Sequence, residues 1–245
     1  MARLTTKRPH LTGKLALVTG ANRGIGLAIA RALARQKCDL VITARDQRTL
    51  NQAGRELGKL GVSVISQPCD VRAPLSVDRL FARVRALRRP LNFLINNAGV
   101  AHPGKNVEEL PYPTWCDIVD TNLNGLFIVS QAALAVMKRG SVIVNNLSVA
   151  AEQVFTGASA YVASKHGALG FTNTLREELR PKGIRVVALL PGATDTEIWN
   201  TIWPKAPRKK MMSSSAVGAA VVNALLMPDD SCIEKLVIAP PGGAL

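Results

Sequence analysis

Short, almost continuously apolar runs alternate along this chain with longer stretches of helical periodicity. Seven runs rich in Val, Ile and Leu are predicted to be strands: residues 15–19, 40–43, 62–66, 91–95, 142–145, 184–190 and 236–239. Helical spacing predicts helices over residues 24–36, 47–60, 75–87, 114–138 and 161–180. Because the strands do not alternate apolar with polar residues, we expect burial on both faces. The pattern predicts an α/β fold, a single doubly wound parallel sheet of the Rossmann type with helices on both faces.

The domain organisation follows from length and from the absence of breaks in this pattern. The chain has 245 residues, and no linker rich in Pro, Gly or Ser divides it. One domain over residues 1–245 is therefore predicted. The first ten residues are basic, but no apolar segment follows them, and the apolar stretch 123–137 is too short and too polar for a membrane span. We expect a cytoplasmic protein with no membrane partner.

The formal net charge is +14, from 31 basic and 17 acidic residues. Such a charge attracts polyanions, phosphorylated cofactors and acidic surfaces without selecting among them. Basic residues concentrate only mildly, at 83–89 and 207–210, and no aromatic residues are interleaved for stacking on bases. A nucleic-acid surface is therefore not expected.

The four cysteines indicate neither a metal site nor a redox motif. Cys38, Cys69, Cys116 and Cys232 lie far apart, without a CxxC pair or clustered histidines. We expect reduced, buried thiols and no metal.

A glycine-rich segment follows the first predicted strand, where a parallel sheet binds its ligands. Residues 19–26 read Thr-Gly-Ala-Asn-Arg-Gly-Ile-Gly and lead into the first predicted helix. Glycine lets backbone N–H groups approach a pyrophosphate at the positive end of that helix. The spacing departs from G-x-G-x-x-G, and a glycine turn without a ligand is the alternative. The candidate dinucleotide contacts here are Gly20, Asn22, Arg23, Gly24, Ile25 and Gly26.

The residues after the second strand bear on the choice between NADP and NAD. An acidic residue there accepts a hydrogen bond from the free ribose 2′-hydroxyl of NAD but repels the 2′-phosphate of NADP. Here Ala44 and Arg45 come first, and Arg45 together with Arg23 could hold a 2′-phosphate. Asp46 is the contrary evidence, because one residue earlier it would indicate NAD. NADP is the predicted cofactor, with NAD as the less favoured alternative.

Tyr161 and Lys165 are four residues apart in a predicted helix, so the phenol and the ammonium project from one face. An ammonium beside a phenol lowers the phenol pKa and brings proton transfer within reach of neutral pH. Ser148 follows the fifth strand, either as a cap or as a hydrogen-bond donor to a substrate oxygen. Because Tyr and Lys are common on helix surfaces, this spacing alone is weak evidence for a catalytic pair. It indicates one only together with the other motifs of the chain.

In their order, these motifs resemble those of the short-chain dehydrogenase/reductase family, and specifically its NADP-preferring, carbonyl-reductase-like members. The resemblance covers nearly the whole chain. It is carried by Thr19-Gly20-x-x-x-Gly24-Ile25-Gly26, Asp70-Val71, Asn96-Asn97-Ala98-Gly99, Asn122, Ser148, Tyr161-x-x-x-Lys165 and Pro191-Gly192-x-x-x-Thr196. One departure is Leu147, where many relatives carry a second small polar residue; we expect little effect on the mechanism.

The resemblance implies a role for each matching residue. The catalytic tetrad would be Asn122, Ser148, Tyr161 and Lys165, of which Tyr161 and Lys165 would also contact the cofactor. Further contacts are implied at the adenosine end of the cofactor, from Asp70, Val71, Asn97, Ala98 and Gly99. Contacts around the nicotinamide are implied for Pro191, Gly192, Thr194 and Thr196.

The implied activity is hydride transfer between NADP(H) and a small carbonyl or alcohol substrate. Tyr161 would give a proton to the developing alkoxide while Ser148 holds its oxygen. Lys165 would bind the nicotinamide ribose and acidify Tyr161, and Asn122 would support a water chain. The alternative is a non-enzymatic dinucleotide-sensing or polyanion-binding protein on the same fold, which would have no need for the intact acid.

Two further expectations come from the resemblance. Residues 194–212 would form a mobile substrate lid. Trp199 and Trp203 within it are four apart and either present one aromatic face to an apolar carbonyl compound or simply pack a short helix. The segments 114–138 and 160–180 resemble the helices through which family members form dimers and tetramers, so we expect a homo-oligomer.

Overall fold

A seven-stranded parallel sheet forms the centre of the computed structural model, which describes residues 11–243; the basic segment 1–10 and residues 244–245 lie outside the described residues. The order of the strands is β3-β2-β1-β4-β5-β6-β9. These strands are β1 (Leu15–Thr19), β2 (Asp39–Thr43), β3 (Val64–Ser66), β4 (Phe93–Asn96), β5 (Val142–Asn146), β6 (Arg185–Pro191) and β9 (Lys235–Ile238). A separate parallel pair joins β7 (Thr194–Asp195) to β8 (Met212–Ser213).

Helices cover both faces of the sheet. They are α1 (Gly24–Arg35), α2 (Gln47–Gly58), α3 (Pro74–Arg85), α4 (Tyr112–Val119), α5 (Gly125–Leu134), α6 (Ser159–Leu179), α7 (Trp199–Ile202) and α8 (Ser214–Leu225). One buried core packs α1, α2 and α8 against the sheet, and a second packs α3, α5 and α6 against the other face. A cleft follows from the order of the strands, because the chain proceeds in opposite directions from β1 and β4 and leaves a crevice beyond their carboxyl ends.

The predicted fold class is confirmed, and all seven predicted strands are present with ends that shift by no more than two residues. The continuous apolar runs identified these strands because a strand that is buried on both faces carries apolar residues at nearly every position.

The predicted helix over residues 114–138 is present as continuous helical backbone up to Leu134, but not as one regular α-helix. The structure divides it into α4 and α5 around a π-helical segment, Asp120–Asn124, and α5 ends at Leu134. A π-helical turn inserts one extra residue into a helix, and helical periodicity read over a whole segment does not show where such an insertion lies. Helix α8 and the β7–β8 pair are not among the elements predicted from the sequence.

Over residues 11–243, no helix is both long and apolar enough to cross a bilayer. The same residues contain no group of three or more His, Cys, Asp or Glu side chains placed to hold a metal ion. All four cysteines are free thiols. Cys38 and Cys69 are buried, as expected, whereas Cys116 is partly exposed and Cys232 is exposed, which corrects the prediction for these two.

Candidate active site

The glycine turn between β1 and α1 packs closely against the residues after β4. Gly20 and Gly24 adopt φ angles of +63° and +56°, which favour glycine. A Cβ at Gly26 would lie 2.3 Å from the Asn97 Nδ2 atom and 2.3 Å from the Gly20 carbonyl oxygen. The N-cap residue of α1, Arg23, forms no side-chain cap, and the first turn carries no acidic residue. The free N–H groups and the helix dipole therefore fit a pyrophosphate.

Asn97 holds this turn from behind. Its Nδ2 donates to the carbonyl oxygens of Thr19, at 2.8 Å, and Gly20, at 3.2 Å, and its Oδ1 accepts from Asn146 Nδ2 at 2.8 Å. The Thr19 hydroxyl oxygen accepts from the backbone N–H groups of Asn97 and Ala98, both at 2.9 Å. The amide of Asn97 thus links the glycine turn to the end of β5.

At the end of β2, the structure settles the register that the sequence left open. Asp46 is the N-cap of α2, and its carboxylate accepts from the Thr49 backbone N–H at 2.8 Å. Arg45 is the second residue after β2 and is exposed, as is Arg23. Neither arginine forms an ion pair within residues 11–243. The carboxylate that would have favoured NAD is therefore committed to capping a helix.

Asp70 lies near Arg45 but is bonded to a different arginine. Its carboxylate accepts from Arg72 Nε at 3.0 Å and from Arg72 Nη2 at 2.6 Å, and Arg72 also pairs with Asp117. These hydrogen bonds lower the pKa of Asp70, and the charge of Arg45 acts in the same direction. Val71 is buried, and a Cβ at Gly125 would come within 2.7 Å of its side chain.

The π-helical segment places Asn122 inside the protein. Asn122 Nδ2 donates to the Val100 carbonyl oxygen, at 2.9 Å, and to the Ser164 hydroxyl, at 3.0 Å, and its Oδ1 accepts from Val100 N–H at 2.9 Å. A Cβ at Gly99 would lie 3.3 Å from Asn122 Oδ1 and 3.7 Å from Lys165 Nζ. Gly99 thus lets Asn122 and Lys165 approach the same point after β4.

Helix α6 carries Tyr161 and Lys165 on one face, as predicted. Lys165 is buried; its Nζ lies 5.5 Å from the centroid of the Tyr161 ring and donates to the Asn146 carbonyl oxygen at 3.3 Å. Burial lowers the pKa of Lys165 to about 8.

The expectation that Lys165 lowers the pKa of Tyr161 is wrong for this structure. Burial raises the pKa of the Tyr161 phenol, and the Ser148 hydroxyl beside it acts in the opposite direction. The Lys165 ammonium lies over the ring and bonds to a backbone carbonyl, so it does not offset the burial of the phenol. The same Ser148 hydroxyl accepts from Ala150 N–H at 3.1 Å as an N-cap, so both predicted roles of Ser148 remain open to it.

The segment after β6 folds over the glycine turn. Gly192 N–H donates to the Ile238 carbonyl oxygen at 2.8 Å, Pro191 and Thr194 are buried, and a Cβ at Gly24 would lie 3.5 Å from the Thr196 side chain. Arg208 holds this segment together, because its guanidinium donates to Asp195, to the Thr196 carbonyl oxygen and to Asn200 at 2.6–2.8 Å.

The two tryptophans of this segment differ in their surroundings. Trp199 donates from Nε1 to the Thr194 carbonyl oxygen at 2.9 Å and is partly buried. Trp203 follows the last residue of α7, leaves the helical conformation and is 46% exposed. Of the two alternatives, a shared aromatic face does not form, because the helix ends between the two residues; Trp199 packs within the segment, whereas Trp203 stays exposed.

The chain matches the family model for short chain dehydrogenases over residues 14–207. The chain belongs to the short-chain dehydrogenase family. A Streptomyces coelicolor protein named as a ketoacyl reductase is 38% identical over 201 residues, which cover 78% of this chain and 77% of that protein.

Two solved structures of similar proteins agree closely with this short-chain dehydrogenase. An alcohol dehydrogenase from the archaeon Thermococcus sibiricus, in complex with 5-hydroxy-NADP, has a TM-score of 0.87 and 30% identity over 93% of this chain and 97% of its own. A short-chain dehydrogenase from Burkholderia cenocepacia, in complex with NADP, has a TM-score of 0.85 and 30% identity over 94% of this chain and 98% of its own. The predicted family is therefore confirmed.

One buried polar network of this short-chain dehydrogenase was not predicted from the sequence. Asn96 and Asn145 are register partners on β4 and β5, and Asn96 Nδ2 donates to Asn145 Oδ1 at 2.9 Å. Asn96 Nδ2 also donates to Ser130 on α5, and Asn145 Nδ2 donates to Thr172 on α6, both at 2.9 Å. Asparagine at the ends of two neighbouring apolar strands was the available signal. The network ties the two strands that carry the site to the two helices behind them.

Proposed function

We propose that this protein is an NADP(H)-dependent oxidoreductase that reduces a carbonyl compound to an alcohol or catalyses the reverse reaction. One observation carries the proposal: Tyr161, Ser148 and buried Lys165 meet at the end of β5, and Gly99 and Asn146 connect them to the glycine turn. This arrangement brings a proton donor to the edge of a dinucleotide cleft. A protein that only bound polyanions would need no such donor.

The residues of the chain fit NADP on two grounds. The glycine turn offers uncapped N–H groups for a pyrophosphate. Arg45 and Arg23 are exposed cations with no protein carboxylate as a partner within residues 11–243, and so both are available to a 2′-phosphate. The NADP complexes of the two similar structures support the same choice of cofactor over NAD.

Proton transfer would be the task of Tyr161. When bound, NADPH supplies the hydride. Because burial raises its pKa, the phenol keeps its proton at neutral pH and can give it to the substrate oxygen as negative charge develops there. Ser148 would donate a hydrogen bond to the same oxygen. The Lys165 ammonium, which lies beside the Tyr161 ring, would contact the nicotinamide ribose.

Asn122, the fourth residue of the tetrad, would act by holding neighbouring segments in place. Both N–H groups of the Asn122 amide are bonded inside the protein, and its Oδ1 holds Val100. Asn122 would therefore fix the π-helical segment against the loop after β4 and leave one lone pair of Oδ1 for an ordered water in a proton relay.

Residues 194–212 would form the substrate lid of a single domain that spans residues 1–245. The exposed ring of Trp203 gives this segment a free aromatic surface, which suits an apolar or aromatic carbonyl compound. We further propose a cytoplasmic carbonyl reductase that forms homodimers or homotetramers through the faces of α4, α5 and α6.

A panel of aldehydes and ketones, assayed by loss of NADPH absorbance and repeated with NADH, tests the proposal. We expect turnover of at least one apolar carbonyl compound, with a higher kcat/KM for NADPH than for NADH. Failure of the wild-type protein to oxidise NADPH with any compound of the panel, combined with salt-sensitive binding of nucleic acid, would favour the polyanion-binding alternative.

A further inference from the structure

A second cavity lies at the amino ends of β5 and β6, at the edge of the sheet opposite the tetrad. It measures about 380 Å³, within the range of small-ligand pockets. Arg139 and Arg185 flank it next to the starts of β5 and β6, and Arg176 and Arg180 reach it from the end of α6. We call it the arginine cavity. Four arginines line it with one carboxylate, that of Asp229; two of them, Arg139 and Arg176, have no carboxylate partner within residues 11–243, whereas Arg185 pairs with Asp229 and Arg180 with Glu177 and Glu234.

Arg176 is a buried cation without a carboxylate partner within residues 11–243. It is 8% exposed, and its guanidinium donates to the Val186 carbonyl oxygen at 2.9 Å, to Asn173 Oδ1 at 3.0 Å and to the Glu234 carbonyl oxygen at 2.7 Å. These acceptors fix the orientation of the group, and none of them is a carboxylate. A buried charge without a counterion is costly, and an anion in the cavity would offset that cost.

Arg185 is held in a similar way. Its Nη1 donates to the carbonyl oxygens of Met227, Pro228 and Ser231 at 3.1–3.3 Å. Its ion partner, Asp229, is 3.2 Å away with a side chain that is 90% exposed, so the pair is weak. Backbone carbonyls thus preorganise a second guanidinium at the wall of the cavity.

The two remaining arginines are more accessible. Arg139 Nη2 has one acceptor, the Pro181 carbonyl oxygen at 3.3 Å, and Arg180 pairs at the surface with Glu177 and Glu234. Cys232 also lines the cavity: burial raises the pKa of its thiol, Arg185 acts against that rise, Glu234 adds to it, and Arg176 and Arg180 act against it. Because the Cys232 residue is exposed to solvent and lines the arginine cavity, its reactivity reports on whether the cavity is occupied.

We infer that the arginine cavity binds a small ligand that carries a phosphate or pyrophosphate group. Several guanidinium groups converge on one volume, and a phosphate offers more acceptor oxygens to such a set than a carboxylate does. The site goes beyond the proposed oxidoreductase activity, since none of its residues belongs to the tetrad or to the glycine turn. It also gives part of the +14 charge a specific partner.

Inorganic pyrophosphate is the probe, added to protein already saturated with NADP⁺ so that the glycine turn is blocked. Alkylation by neutral iodoacetamide is followed by mass spectrometry at Cys232, with Cys116 as the internal reference. We expect alkylation of Cys232 to slow about tenfold when pyrophosphate reaches about ten times its dissociation constant, with no change at Cys116. Equal rates at Cys232 with and without pyrophosphate would overturn the inference.

Three variants locate the effect. Arg139→Gln and Arg180→Gln each remove a lining cation and should weaken pyrophosphate binding about tenfold. Arg31→Gln, which removes an ion-paired arginine of α1 away from the cavity, should leave it unchanged. Thermal unfolding verifies that each variant is folded. Arg139 has a single acceptor, so Arg139→Gln should disturb the folded structure less than Arg180→Gln, which also removes two ion pairs. Equal binding by all three variants would contradict the site, whatever the result of the carbonyl panel.

Discussion

Lys165 places its Nζ 5.5 Å from the centroid of the Tyr161 ring, and its hydrogen bond goes to the Asn146 carbonyl oxygen rather than to the phenol. The pair therefore does not work by a direct bond between ammonium and hydroxyl. Burial raises the pKa of Tyr161 and lowers that of Lys165, so near neutral pH the phenol keeps its proton while the amine approaches its own titration.

Cofactor binding is expected to depend on the charge of Lys165. Its pKa in the folded protein is about 8, below the ordinary 10.5, so the ammonium is present below pH 8 and is lost as the pH rises through it. If Lys165 contacts the nicotinamide ribose, NADPH affinity should be level below about pH 8 and fall above it. Fluorescence titration of NADPH across the pH range checks this.

Lys165→Arg is the control, because a guanidinium stays charged through this range. Its NADPH affinity should show no fall near pH 8, even if the affinity itself is lower. A wild-type affinity for NADPH that stays level to pH 10 would show that the charge of Lys165 does not contribute to NADPH binding.

Gly26 should not tolerate a side chain. A Cβ there would meet Asn97 Nδ2 and the Gly20 carbonyl oxygen at 2.3 Å, so Gly26→Ala must displace the amide that holds the glycine turn. We expect a loss of about 1–3 kcal/mol in the free energy of unfolding and a weaker affinity for NADPH. Denaturant unfolding and NADPH titration measure the two effects.

Gly170 on α6 is the matched helical glycine, because a Cβ there meets nothing within 4 Å. Gly170→Ala should raise the free energy of unfolding by about 0.5–1 kcal/mol, since alanine is the better helix former. If Gly26→Ala and Gly170→Ala change the free energy of unfolding and the NADPH affinity alike, the close approach at Gly26 contributes to neither.

The preference for NADPH should depend on Arg45. Arg45→Asp replaces a cation with an anion, and the loss of a charge-assisted hydrogen bond corresponds to roughly tenfold or more in kcat/KM for NADPH. Activity with NADH should fall much less. Arg55→Asp, which makes the same charge change on the last turn of α2, is the control. Equal losses with both cofactors, or equal losses in both variants, would refute the role of Arg45.

The Asn96–Asn145 pair should contribute to stability. Asn145→Ala removes the acceptor of Asn96 Nδ2 and the donor to Thr172 inside the protein. Leaving buried polar groups without partners costs about 1–3 kcal/mol. Denaturant unfolding should show this loss. Thr174→Ala, an exposed hydroxyl on the same helix as Thr172, should cost far less.

The sequence revealed the sheet because each central strand is a continuous apolar run, and it revealed the site because the motifs come in order. It did not reveal the π-helical turn at Asn122, since helical periodicity on either side of residues 120–124 does not show where one extra residue is inserted. The direction of the Tyr161 pKa could not be read from the spacing to Lys165, because burial decides it. The role of Asp46 could not be read from the sequence either, because a shift of one residue in the end of β2 separates a ligand of the ribose from a helix cap.

The phenol of Tyr161 is the central element of the account. Tyr161→Phe removes the hydroxyl and keeps the ring, so NADPH binding should persist while carbonyl reduction falls by about 10²–10⁴-fold. The most direct measurement is kcat for NADPH-dependent reduction of the best carbonyl compound, in the wild type and in Tyr161→Phe, with NADPH affinity measured in parallel. Loss of turnover with retained affinity is the predicted result; a variant that reduces the compound as fast as the wild type would contradict the proposed proton donor.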